Sequence, residues 1–206
     1  MTVHQVIEHS HAPIDKAALA KIFTEARTHN GFLDKPVPDE LLREAVDIAK
    51  LGPTSANQSP MHIVFVKSKA AKERLRPTLS PGNLDKTMSA PVTAITAYDV
   101  KFYEHLPFLM PHIDAKSWFD KLPLEVVREI AHKNGTLQVA YLIIALRALG
   151  LDTGPMTGFD NAKLDAEFFP DGRFKSNVLI NIGYGDHTKL FPRSPRFKFE
   201  EIATIV

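Results

Sequence analysis

Apolar residues spaced three and four apart alternate along this chain with short β-branched runs. After Asp15, Leu19, Ile22, Phe23 and Ala26 fall on one face, which predicts an amphipathic helix capped by Asp15. Pro36-Val37-Pro38-Asp39 opens a second helix, with Leu41, Leu42, Ala45, Ile48 and Ala49 on its core side and Gly52 as its stop. His62-Ile63-Val64-Phe65-Val66 reads as a buried strand, residues 69–76 as a short charged helix, 80–86 as a loop and 91–97 as a second strand. Residues 102–119 are rich in aromatics, prolines and histidines without a clean period. They read as irregular helical pieces that wall a pocket or pack down as a flap.

The strongest helix pattern covers residues 135–151. Leu137, Ala140, Tyr141, Ile144, Ala145 and Ala148 form one stripe, while Val139, Leu142, Ile143, Leu146 and Leu149 fill the other sides. A helix apolar nearly all round must be buried all round, which calls for a central position or a second subunit; a homodimer interface is the expectation. Asp160 or Asn161 caps a short helix through Leu164 and Phe168, and residues 176–185 form a third strand ending in a glycine turn. Helices alternating with few strands indicate an α/β or α+β domain over residues 1–206, with residues 1–13 as a mobile arm.

Composition narrows the chemistry. The 206 residues are 44% hydrophobic and 24% charged, as in a soluble globular protein. A net charge of +1 argues against a nucleic-acid partner, which needs a concentrated basic face. With no cysteine, disulfides, thiolate metal sites and cysteine nucleophiles are excluded. The longest apolar block, 139–146, is too short to span a bilayer, and the N-terminus carries no secretion-like pattern; a cytoplasmic protein without membrane contact is expected. Nine scattered histidines, among them His4, His9 and His11, support a metal hydrolase only weakly, and no metal ligand is assigned.

Four stretches offer binding chemistry. Arg27 and Thr28, in Arg27-Thr28-His29-Asn30-Gly31-Phe32, suit a phosphate or else end a helix in solvent. Residues 52–60, Gly-Pro-Thr-Ser-Ala-Asn-Gln-Ser-Pro, present Thr54, Ser55 and Asn57 to a polar uncharged partner, or serve only their own turns. In residues 150–159, Gly154 and Gly158 around Pro155 let the main chain approach a flat partner. Arg193-Ser194-Pro195-Arg196 either clamps a phosphate or is solvated surface, and Lys86 is similarly open between cofactor and solvent. Together these describe a site for a phosphorylated, polyhydroxylated aromatic ligand. No Gly-x-Gly-x-x-Gly is present, so a Rossmann dinucleotide site is not indicated.

In this order the four stretches resemble the FMN-dependent nitroreductase family: its arginine/serine phosphate motif, its Pro-Ser-Ser-x-Asn-x-Gln-Pro loop, its Gly-Leu…Pro-x-x-Gly-Phe turn, and its closing Gly-x-Gly (here Gly183-Tyr184-Gly185) and basic segment. Residues 26–30, 52–57 and 149–156 are similar to the malonic semialdehyde reductase branch, assigned to uracil breakdown. Two departures stand out: Ala26 occupies a frequent first arginine, and Gln58-Ser59-Pro60-Met61 replaces a common Gln-Pro-Trp.

The resemblance implies an α+β, three-layer α/β/α fold with a small, mainly antiparallel central sheet, as an intertwined homodimer with FMN at each of two interfaces. It places Arg27 and Thr28 on the FMN phosphate with Arg193 and Arg196 closing over it, Asn30 at the pyrimidine edge, and Asn83 and Lys86 at the ring and ribityl chain. Pro155, Met156, Thr157 and Gly158 would flank N5, and Thr54, Ser55 and Asn57 would come from the other subunit. The implied activity is NAD(P)H-dependent reduction of a small carbonyl or nitro compound in ping-pong fashion, with no catalytic side chain. The first-choice reaction is malonic semialdehyde to 3-hydroxypropanoate, and the runner-up is a general nitro or quinone reductase of the same fold. A rival from another class is a flavin-binding carrier or sensor without turnover.

Overall fold

A computed structural model describes residues 11–206, so His4, His9 and most of the expected N-terminal arm lie outside the described residues. Asp15 caps α1 (Lys16–Leu19) by accepting from Ala18 N at 2.7 Å, and the helix continues as a wider turn through Ala20–Thr24. Leu19 and Phe23, expected in a core, are exposed in the single chain. α2 (Asp39–Ala49) follows Pro38 and ends where Gly52 N bonds Ala49 O.

Four strands form one antiparallel sheet in the order β1-β2-β4-β3: β1 Met61–Val66, β2 Val92–Asp99, β3 Asp152–Met156 and β4 Phe174–Gly183. The alternation of side chains across the pleat sends successive residues to opposite faces. Val92, Ala94, Ile180 and Ile182 therefore meet Leu42 and Ala45 of α2 and Val139, Leu142 and Leu146 of α6 (Leu124–Ala148). Ile95, Ala97 and Leu179 face Leu75 of α3 (Lys69–Leu75) and Leu164 of α7 (Asn161–Phe168) on the other side. This is the expected α+β arrangement of helices over both faces of a small antiparallel sheet.

Three readings need correction. Residues 80–86 are not a loop but the front of α4 (Pro81–Ser89); Pro81 supplies a preset φ where a missing N–H costs nothing. Residues 152–156, read as part of a glycine-proline turn, form β3, so there are four strands and not three. Pro155 is tolerated because β3 is an edge strand. The long helix begins at Leu124 rather than Gly135, since Val127 and Ala131 pack under Phe102 and Leu106. The aromatic stretch is irregular as expected, with single turns at Phe102–His105 and Lys116–Trp118 around α5 (Leu106–Leu109). β1 is only half-buried before Val66, being the other edge strand. Asp160, and not Asn161, caps α7. A last short helix, α8 (Phe199–Ile202), lies in an exposed C-terminal segment.

Candidate cofactor site

The turn after α1 is held in place by backbone pairing on both sides. Thr28 bridges Thr153 of β3, His29 N bonds Thr153 O at 3.0 Å, and Leu33 N bonds Tyr184 O at 2.8 Å beyond β4. Glycines make this threading possible. A Cβ on Gly154 would lie 2.4 Å from His29 O, and one on Gly185 would lie 2.1 Å from the His29 ring. Gly154 thus makes room for the chain's own turn, and Gly158 for the Asn83 amide, 2.4 Å from where its Cβ would stand.

The C-terminal segment closes over that turn by a reciprocal clasp. Arg27 Nη2 donates to Phe191 O at 2.5 Å, while Arg193 Nη2 donates to Thr24 O and Ala26 O at 2.9 and 3.2 Å. Between them lies a cavity of about 510 Å³ lined by Arg27, Thr28, Asn30, Arg193 and Arg196, all expected at a site from the sequence. Sequence reasoning missed Arg147, which also lines it. Its one signal was being the lone charge in an otherwise apolar helical stretch. Four guanidinium groups and no carboxylate line the cavity, an arrangement that draws an anion. Arg147 Nη1 donates to Ile22 O at 3.1 Å, but its buried Nε finds no partner among the described residues.

Asn30, on the cavity wall, is the contact that links it to α4. Lys86 Nζ stands 3.5 Å from Asn30 Oδ1, and Asn83 Nδ2 donates to Gly158 O at 2.8 Å. Pro155 and Met156 end β3, with Met156 against Thr87 of α4, and Thr157 and Gly158 follow the strand. Thr54, Ser55 and Asn57 do not line the cavity in the single chain. Ser55 N donates to Asn134 Oδ1 of α6 at 2.8 Å, Asn57 Nδ2 to Leu109 O at 2.7 Å, and Thr54 Oγ1 accepts from Ser59 N. This loop carries three non-glycine residues at positive φ, Ala56, Asn57 and Ser59. Such strain concentrates at ligand-binding segments.

Below the turn, His29, Asp152 and His187 lie close together; His29 Nε2 is 3.4 Å from Asp152 Oδ1, whose other oxygen accepts from Gly185 N. Burial lowers the His29 pKa, partly offset by Asp152, and burial likewise lowers that of His62, offset by Asp99 and Asp171. The unfolded chain then binds protons more readily than the folded one just below the ordinary histidine value. Stability contributed by these groups is full above about pH 6.5 and falls as pH drops toward their depressed folded values. A lower urea midpoint at about pH 5.5 than at about pH 7, with a smaller difference in His29→Leu, is the expected result.

The nitroreductase family pattern matches residues 23–184. The chain belongs to the nitroreductase family. A protein of Stenotrophomonas maltophilia (strain R551-3), provisionally named NADH dehydrogenase/NAD(P)H nitroreductase, is 59% identical over 95% of this chain and 99% of its own length. Among solved structures, a provisionally named nitroreductase of Bacillus subtilis superposes with a TM-score of 0.83 at 22% identity, over 93% of this chain and 100% of that one. Another, from Exiguobacterium sibiricum and solved in complex with FMN, gives 0.82 at 19% identity, over 96% and 100%. As a nitroreductase-family fold, the sheet and its helices match these neighbours, and no described helix is long and apolar enough to cross a membrane.

Proposed function

We infer that the chain is an FMN-dependent NAD(P)H oxidoreductase working as a homodimer, whose preferred reaction is malonic semialdehyde + NAD(P)H + H⁺ → 3-hydroxypropanoate + NAD(P)⁺. The observation that carries the cofactor reading is the cavity with four arginines and no acid, whose Asn30 is met by Lys86. Its donor set fits a phosphate monoester, and the unpartnered Arg147 Nε adds a buried donor. On this reading Arg27, Thr28, Arg193 and Arg196 hold the phosphate, Asn30, Asn83 and Lys86 the polar edges, and Pro155 to Gly158 one side of the ring. FMN, when bound, supplies two-electron transfer between nicotinamide and acceptor, so no side-chain nucleophile is required. The protein's own part is orientation and electrostatics: guanidinium forks fix the phosphate, and the Lys86 ammonium favours negative charge near Asn30.

Apolar exposure supports the dimer. Leu137 and Tyr141 of the expected stripe are 52% and 40% exposed in the single chain, and Phe191, Phe197, Ile202 and Ile205 are at least 70% exposed. Exposure on that scale marks an interaction surface. The second subunit would bring Thr54, Ser55 and Asn57 to the cofactor. Light scattering at micromolar concentration should give a dimer mass for the native chain. Leu137→Asp should give a folded monomer with native far-UV dichroism and no retained FMN.

The substrate choice rests on the resemblance of residues 26–30, 52–57 and 149–156 to the malonic semialdehyde branch. The name of the 59% identical relative favours a second reading, a general nitroaromatic or quinone reductase. Comparing kcat/KM for malonic semialdehyde with that for a nitroaromatic decides between them. On either reading the partners are a second copy of the chain, NAD(P)H and a small carbonyl or nitro compound in the cytoplasm.

A further inference from the structure

Lys72 sits on α3, in a run that reads as an ordinary charged surface helix, yet it is only 4% exposed. No acidic group pairs with it among the described residues. Its ammonium donates to Thr87 O at 2.8 Å, near the end of α4, and to Thr93 Oγ1 of β2 at 2.6 Å. An ammonium can only donate, so the Thr93 hydroxyl must pass its own proton onward, which it does to Asn181 Oδ1 at 2.8 Å. Asn181 Nδ2 then donates to Thr87 Oγ1 at 3.3 Å, and Thr87 Oγ1 points its proton at Met156 Sδ, 3.5 Å away. A donor-only group at one end thus aligns every dipole of the chain, positive end toward the tip of β3. Thr87, Thr93 and Asn181 are all buried, so nothing but the protein screens this field.

We propose that Lys72 is a buried cation that tilts the redox balance of bound FMN toward its reduced state, through its charge and the aligned Thr93–Asn181–Thr87 chain behind Met156. The proposal rests on the cofactor reading above. Reduction adds negative charge to the cofactor, and a positive field fixed beneath its site favours that state without reorganising. Burial lowers the Lys72 pKa to about 8, which leaves the side chain mostly protonated at neutral pH. On the cofactor reading, which sets Met156 beside the flavin ring, the group acts through Thr87 and Met156 and is a positioning and electrostatic one. A plain structural cap of the α4 carboxyl end is the competing role, and it needs only the hydrogen bonds.

The test is the midpoint potential of protein-bound FMN, measured by spectroelectrochemistry on the intact dimer. In Lys72→Met, the ratio of reduced to oxidised FMN at a fixed poise should fall about tenfold, equivalent to about 30 mV for a two-electron couple. Lys72→Gln keeps hydrogen-bonding donors and loses the charge, and should show at least part of that fall. Lys69→Met, which removes an exposed charge from the same helix, should leave the potential unchanged. A native potential in Lys72→Gln, or in both Lys72 variants, overturns the proposal, as does failure of both variants to fold or retain FMN. If the native protein takes up no FMN, the cofactor reading itself fails, and that result is distinct from all of these.

Discussion

Replacing Arg27 and Arg193 together by glutamine should weaken FMN binding by more than a hundredfold in equilibrium dialysis. Each guanidinium reaches across to a carbonyl of the other's segment, so the pair both lines the cavity and clasps it shut. A hydrogen bond to a charged group is worth about 1.5–3 kcal/mol, and two lost together exceed two powers of ten in affinity. Arg27→Lys keeps the charge without the planar fork, so a smaller loss, about tenfold, is expected. The apo melting temperature should barely move, because these hydrogen bonds lie at the exposed rim. A double variant that binds FMN as the native chain does would remove the phosphate from this cavity.

Gly154→Ala should cost more stability than any surface change near the site. Its Cβ would stand 2.4 Å from the His29 carbonyl oxygen, a backbone atom held against Thr153 by the preceding N–H. Neither strand nor turn can move without breaking that pairing. Overpacking of this kind costs about 1–3 kcal/mol, and for a chain of this length each kcal/mol lowers Tm by about 2–4 °C. The turn carrying Arg27, Thr28 and Asn30 must shift outward, so FMN affinity should fall along with Tm. The two effects separate this position from Arg27 and Arg193, where affinity falls and Tm does not. Calorimetry of the apo protein beside dialysis of the holo form measures both.

The residues that sequence brought together correctly are those whose chemistry is hard to explain otherwise. Arginines at 27, 193 and 196 next to short polar stretches suit a common anion, and the fold lines one cavity with all three despite their distance along the chain. What stayed hidden had ordinary local signals. Ser80-Pro81-Gly82-Asn83 carries turn residues, and only a proline at the first helical position, with Thr87 buried behind it, shows that a helix follows. β3 contains glycine and proline, both unfavourable in a strand interior, and forms because β4 pairs along one edge while the turn at Thr28 and His29 pairs with Thr153. Arg147 was masked by its apolar neighbours and Lys72 by its charged ones, since burial is decided by tertiary packing and not by spacing. Thr54, Ser55 and Asn57 were legible as a polar loop, yet in one chain they bond to Asn134, Leu109 and Ser59 instead of facing the arginines. In the proposed dimer, a second copy of the chain brings them there.

On the proposed function, this cavity holds the cofactor through which electrons pass. Anaerobic titration with NADH, on protein incubated with FMN and then freed of unbound ligand, tests it most directly. The account predicts a yellow protein with one FMN per chain whose visible absorbance bleaches on adding the nucleotide and returns with malonic semialdehyde. A colourless protein after gel filtration, or a yellow one that neither NADH nor NADPH bleaches, would contradict it.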